Sequence, residues 1–161
     1  MDTKIEAEKR LSYARGYFEL GMYKEAFLEI RRYVQLARLD RDTALFALEC
    51  CARVGDWNQL AGIAEYIGSR YPLSMPEALI FQAKAEFNRG NIDLALSLLD
   101  EGIRGRPSSG LLWYELARCF CLIRCFGLVG RAMAKVVSLD PSMAESAVED
   151  PDFKDYVEGN F

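Results

Sequence analysis

The sequence predicts an all-α solenoid of stacked helical hairpins, and three observations carry that reading. Four turns recur along the chain: Gly21-Met22-Tyr23, Gly55-Asp56-Trp57, Gly90-Asn91-Ile92 and Arg124-Cys125-Phe126. Their third residues are spaced by 34, 35 and 34 positions. The prolines Pro72, Pro107 and Pro141 keep the same register, 35 and then 34 apart. Between the turns, apolar residues recur every three or four positions, and alternation of the strand type is absent over any useful length. A fixed period of this size marks repeats in which no single unit buries its apolar face alone.

The elements follow in order. Residues 8–20 place Leu11, Tyr13, Ala14, Tyr17, Phe18 and Leu20 at helical spacing, and residues 24–37 continue with Phe27, Ile30, Val34 and Ala37. Segments 42–54, 57–70, 76–89, 92–104, 110–123 and 127–138 read the same way. Gly21, Gly55 and Gly90 stand just past a periodic segment, where a left-handed residue closes a helix at least cost. Ser74 with Glu77, Asp56 with Gln59 and Ser142 with Glu145 carry the spacing of a capping box, and Pro76 suits a first helical turn. Short connections make consecutive helices antiparallel. Past Ser142, Ala144, Ala147 and Val148 predict a further helix. Phe153, Tyr156 and Val157 predict a short apolar turn after Pro151.

Composition bounds the function. The chain has 161 residues, 51% hydrophobic and 27% charged, with a formal charge of −4. These are values of a packed globular protein. An acidic chain without a basic cluster is a poor nucleic-acid binder, because such affinity rests on Lys and Arg contacts to phosphate. No apolar run reaches the roughly 18 residues of a membrane span, and the first residues lack the apolar core of a signal peptide. The expected location is cytoplasmic, with no nucleic-acid and no membrane partner. The five cysteines, Cys50, Cys51, Cys119, Cys121 and Cys125, are odd in number and show no framework spacing, and there is no histidine. They are expected to pack as small apolar residues, with no metal and no cofactor. Without histidine, a nucleophile elbow or a phosphate loop, no catalytic residue is expected, and the chain is not read as an enzyme.

The unit resembles the tetratricopeptide repeat. The fourth copy carries Trp113, Leu116-Ala117, Phe120, Val129, Met133 and Pro141 in the slots of that pattern. The third carries Leu79, Ala83, Ala95, Leu99 and Pro107, and the second Ala44, Leu48, Cys51, Leu60, Ala64 and Pro72. The first carries Tyr13-Ala14, Tyr17, Ala26 and Ile30, with Arg38 where the proline would stand. Departures are Leu48 and Leu60 at small slots, Glu86 at an aromatic slot and the absent glycine near Arg124. The resemblance covers residues 7–142. It implies a right-handed α-α superhelix of four repeats, about 7–40, 41–74, 76–108 and 110–142, with a C-terminal cap over 143–161, all in one domain. From Ser142 to Phe161 six acids face one base, which leaves two readings of that segment: a cap for the open end of the stack, or an acidic interaction tail.

The resemblance further implies that the first helix of each repeat lines a concave face. The partner-binding residues expected there are Leu11, Arg15, Phe18, Leu45, Glu49, Ile80, Lys84, Phe87, Tyr114 and Arg118. Leu11, Leu45, Ile80 and Tyr114 form an apolar row beside the charged row Arg15, Glu49, Lys84 and Arg118. Such a surface suits an amphipathic helix or an extended peptide with apolar anchors and an acidic group. The competing reading is that the row packs internally, against a neighbouring repeat or a folded-back terminus. A carboxylate clamp of the kind some tetratricopeptide domains use is not expected, since the nearest positions carry Leu11, Arg15, Phe46, Glu77 and Phe81.

The expected function is therefore a protein-interaction module of adaptor, assembly-factor or chaperone-like type, whose protein or peptide partner the sequence does not identify. Aromatic and Arg anchors dominate interface energy, which singles out Phe18, Tyr114, Arg15 and Arg118. On this reading, Tyr114→Ala with Arg118→Glu removes binding and leaves melting unchanged. The alternative is a structural subunit whose apolar face closes in a homodimer or docks permanently into a larger complex. RNA binding by a pentatricopeptide-like array is disfavoured by the acidic balance.

Overall fold

The computed structural model describes residues 2–70 and 76–160, and among them every regular element is helical. Pro72 and Ser74, and with Ser74 the expected capping box to Glu77, lie outside the described residues. The chain divides into two compact units, Met1–Ala85 and Glu86–Phe161.

The first unit holds α1 (Thr3–Glu19), α2 (Tyr23–Leu36), α3 (Arg41–Val54), α4 (Trp57–Arg70) and the greater part of α5 (Pro76–Asn88). Helix α1 begins five residues before the periodic segment because Asp2 caps it, accepting from the Lys4 N–H at 3.0 Å. Its core is built from Ala14, Ala26, Ala44, Leu48, Cys50, Cys51, Leu60 and Ala64, all fully buried, with Phe27, Ile30 and Ile67 beside them. The alanines let paired helices approach, and Tyr17, Phe46 and Trp57 fill the space at the rim. Leu48 and Leu60, large residues at small slots, are both fully buried, so this interface accommodates them. Arg41 on α3 bonds Glu77 on α5 at 3.2 Å.

The second unit holds the last turn of α5, then α6 (Ile92–Gly105), α7 (Gly110–Leu122), α8 (Phe126–Leu139), α9 (Pro141–Glu149), a 3₁₀ turn (Pro151–Phe153) and α10 (Lys154–Val157). Its core joins Ala117, Cys121, Val129, Ala132 and Val136 of the α7–α8 hairpin to Ala147 and Phe153 of the C-terminal segment. Trp113, the signature residue of the fourth copy, ties the preceding loop by donating its indole N–H to the Pro107 carbonyl at 2.9 Å.

The period rests on a repeated turn. Tyr23, Trp57, Ile92 and Phe126 each open the second helix of a pair, and each is half-buried. Three of the turns share one hydrogen-bond pattern: Met22 N–H to the Tyr17 carbonyl at 2.9 Å, Asn91 to Glu86 at 2.9 Å and Cys125 to Phe120 at 2.8 Å. Gly21, Gly55 and Gly90 take φ of 73, 78 and 88°, and at the fourth turn Arg124 adopts φ 60° without being glycine. A non-glycine residue there costs about 1–2 kcal/mol of backbone strain.

Two sequence expectations change. Glu86 at its aromatic slot is buried and clasps the turn, accepting from the Asn91 side chain at 2.6 Å and from Arg89 at 2.7 Å. The α9 cap is Asp140, not Ser142. Pro141 opens that helix, so the N-cap is the residue before it, and Ser142 instead donates its N–H and hydroxyl to the Asp140 carboxylate at 3.1 and 2.6 Å.

The caps carry a pH signature. Hydrogen bonds from Thr43 hold Asp40, from Gln59 hold Asp56, and from Ser142 hold Asp140 below the ordinary aspartate value of 3.8. A carboxylate lowered by folding stabilises the fold above 3.8, and that stability is lost as pH falls through the lowered value. Thermal unfolding followed by circular dichroism should therefore hold steady from pH 7 to 5 and weaken below about 4, with a smaller loss in Asp140→Asn. Glu86→Ala, which leaves the turn without its clasp, should cost about 1–3 kcal/mol in urea unfolding.

Candidate functional site

The face expected to bind a partner is treated differently in the two units. In the first, α1 and α3 are pinned together by rings. Phe18 meets Tyr23 edge-on at 5.1 Å and Phe46 at 5.4 Å, and the exposed Arg15 guanidinium lies 5.2 Å over the Phe46 ring. Leu11 and Leu45 are half-buried against the same core. Glu49 pairs with Arg53 at 2.7 Å. Glu8, Leu11, Ser12, Arg15, Gly16 and Glu19 line a shallow depression on α1. On α5, Ile80, expected on an open face, is buried and Lys84 is half-buried; Phe87, also half-buried, lies on the last turn of α5, in the second unit.

In the second unit the face is covered. Tyr114 and Arg118 were expected to be open, yet both are buried beneath the chain's own C-terminal segment. Asp150 caps the 3₁₀ turn with one carboxylate oxygen and accepts from the Tyr114 hydroxyl at 2.8 Å with the other. Arg118 pairs with Asp152 at 2.9 Å and with Glu115 on its own helix at 2.8 Å. The fully buried Phe153 ring lies 5.2 Å from Tyr114. Arg124 reaches Asp155 at 2.7 Å and the Asn160 carbonyl at 2.8 Å. Tyr156 packs toward Phe126 at 6.2 Å, and a methyl on Gly130 would meet its hydroxyl at 3.3 Å.

Electrostatics follow from this burial. Desolvation, then the bond to Asp150, push the Tyr114 hydroxyl well above the usual phenol range. Desolvation alone would lower Arg118, but Glu115 and Asp152 outweigh it and keep the guanidinium charged. Burial likewise raises the thiols, Cys50 to about 12 and Cys51 and Cys119 to about 11, which removes their nucleophilic form at neutral pH.

The sequence reading missed one surface. On the second helices of the first unit, Phe27, Ile30, Val34, Ile63 and Tyr66, with Leu39 from the α2–α3 connection, line an apolar groove, with Arg31 at its edge. Val34 is 41% and Tyr66 57% exposed. Their exposure could not be told from core packing by helical spacing alone.

Because Tyr114 and Arg118 anchor the C-terminal segment, Tyr114→Ala with Arg118→Glu should not leave melting unchanged. It removes the ring contact and sets Glu against Asp152 and Glu115. A loss of about 3–5 kcal/mol is expected, read as a lower urea midpoint with early exchange of amides 150–160.

Comparison with known proteins supports the fold alone. No family model matches the sequence, and no curated protein matches it. Solved structures do. TTC0263, a thermophilic TPR protein of Thermus thermophilus, superposes with a TM-score of 0.68 at 16% identity over 84% of this chain and 75% of its own. YrrB, described as a TPR protein with an unusual peptide-binding site, gives 0.67 at 15% identity over 89% and 75%. MamA from Desulfovibrio magneticus RS-1 gives 0.66 at 18% identity over 84% and 76%. With its turns recurring every 34 or 35 residues, the chain has the all-α tetratricopeptide-repeat fold.

Proposed function

We propose that the chain is a protein-interaction module that offers the α1–α3 face to a peptide or helix of another protein, as an adaptor or assembly factor. The observation that carries this reading is Arg15. It is an exposed cation held over the half-buried Phe18–Phe46 pair, and Leu11, Leu45 and Glu49 extend the surface around it. An aromatic floor with an Arg at its edge is the composition of interface anchors. The fold-level likeness to YrrB, described as carrying a peptide-binding site, agrees with such use. The cytoplasm is the proposed setting, where free cysteines such as Cys50 and Cys51 persist as thiols. Among the described residues no helix is long and apolar enough to cross a membrane.

Affinity capture from the native cell, quantified by mass spectrometry, tests the proposal with the unaltered chain and Arg15→Glu. Arg15 is exposed, so the variant should melt within about 1 °C of the parent. At least one protein should be recovered about tenfold less with the variant, a loss of roughly 1.4 kcal/mol. Identical recoveries would remove the α1–α3 face as the site. A shift from dimer to monomer in sedimentation would instead make the partner a second copy.

A further inference from the structure

The apolar groove on the second helices of the first unit is a surface separate from the α1–α3 face, and its lining sets the chemistry of what it accepts. Helices α2 and α4 form its walls, and Ala47 of α3 contributes to its lining. It consists of two adjacent hollows of about 240 Å³ each, which share Val34, Leu39 and Tyr66. That is smaller than the roughly 300–1,000 Å³ of a small-molecule site and suits one large side chain in each hollow. The first hollow is apolar, with Arg31 at its edge. The second is lined by Arg38 and Arg70, and Arg70 steadies the exposed Tyr66 ring by donating to its hydroxyl at 3.2 Å. Among the described residues no carboxylate lines either hollow. The acids nearby in sequence are engaged elsewhere: Asp40 and Asp56 accept from the Thr43 and Gln59 N–H groups at helix starts, and Glu29 pairs with Arg10 and Arg32. Glu65 is exposed on α4 and lines neither hollow. Arg31 lies in the field of Asp56, whereas Arg38 and Arg70 make no ion pair among the described residues. Gly62 adds a steric observation. It stands inside α4 on the groove, is exposed, and a Cβ there would meet nothing within 4 Å. A glycine inside a helix weakens it relative to alanine, and packing within the chain does not require this one. Its bare backbone lets a second helix come close.

We infer that this groove binds an amphipathic helix of another protein that seats a large apolar residue in the first hollow and, one turn along, a carboxylate on Arg38 and Arg70 in the second. Tyrosine and arginine at the rim are the residue types that anchor interfaces. A nucleic-acid strand would find no donor for its bases in the apolar hollow, and a net charge of −4 opposes a polyanion.

The test titrates the full chain, ¹⁵N-labelled, with a blocked alanine-based helical peptide of about 16 residues. The peptide carries two leucines one turn apart, each followed one turn later by a glutamate, and a control peptide has lysine for glutamate. Saturable shifts of the Val34, Ile63, Tyr66 and Arg70 amides are expected below about 1 mM. Affinity should be about fivefold weaker or more for the lysine peptide and for the chain carrying Arg38→Gln with Arg70→Gln. Gly62→Gln should also weaken it at least about fivefold while melting at or above the parent, since a helix former replaces glycine, so that loss is not one of folding. Arg15→Glu should leave it unchanged, which separates this groove from the α1–α3 face. No saturable shift at about 2 mM, equal affinity for the two peptides, or an affinity indifferent to Gly62→Gln would each overturn the inference. Shifts confined to α1 and α3 and lost in Arg15→Glu would overturn it in favour of the other face. Concentration-dependent shifts of the groove amides without peptide would make the occupant a second copy and overturn it as well.

Discussion

The close approach of paired helices at a few alanine positions is the constraint on which the rest depends. Ala14, Ala26, Ala44, Ala64, Ala95 and Ala117 have no exposed surface, and each lies where a larger side chain would force two helix axes apart. With the axes close, the turn between them has little freedom. It must reverse the chain in three residues, pass through a left-handed backbone, and deliver a bulky residue to open the second helix. Those demands explain why the turn repeats more faithfully than the helices do. They also explain why Leu48 and Leu60 can occupy small slots without destroying the pattern, since the interface they share is filled from both sides.

Much of this was legible because it is local. Periodicity gives the helices, and a glycine after a periodic run gives the turn. The bulky residues Tyr23, Trp57, Ile92 and Phe126 were readable as equivalent because each follows the same turn chemistry. What could not be read was contact between residues far apart in sequence. Arg118 and Asp152 are 34 positions apart, and Tyr114 and Asp150 are 36 apart. The acids at 150–155 look like a solvated run when seen alone. Three of them instead face Tyr114, Arg118 and Arg124, so the net charge of the segment says little about its exposure. The competing expectation of a folded-back terminus describes the α7 face, whereas α1 keeps an exposed arginine over an aromatic pair.

One departure from the repeat pattern that looked like a weakness, Glu86, has a physical role. Glu86 exchanges an aromatic contact for a polar clasp across its own turn, viable in a buried place only because both carboxylate oxygens are used. Asp150 likewise uses one oxygen within its own turn and the other across to α7. At Asp150 the engagement of both oxygens keeps the register of the segment fixed as well as its position.

Arg124 bears on the order in which the molecule assembles. Its left-handed backbone is a burden to the α7–α8 hairpin taken alone, and the groups its side chain engages, Asp155 and Asn160, are synthesised 31 and 36 residues later. On a ribosome the hairpin therefore emerges carrying torsional tension with no counterweight. It settles only when the following stretch arrives, so the final repeat matures last and as one body with the segment that closes it.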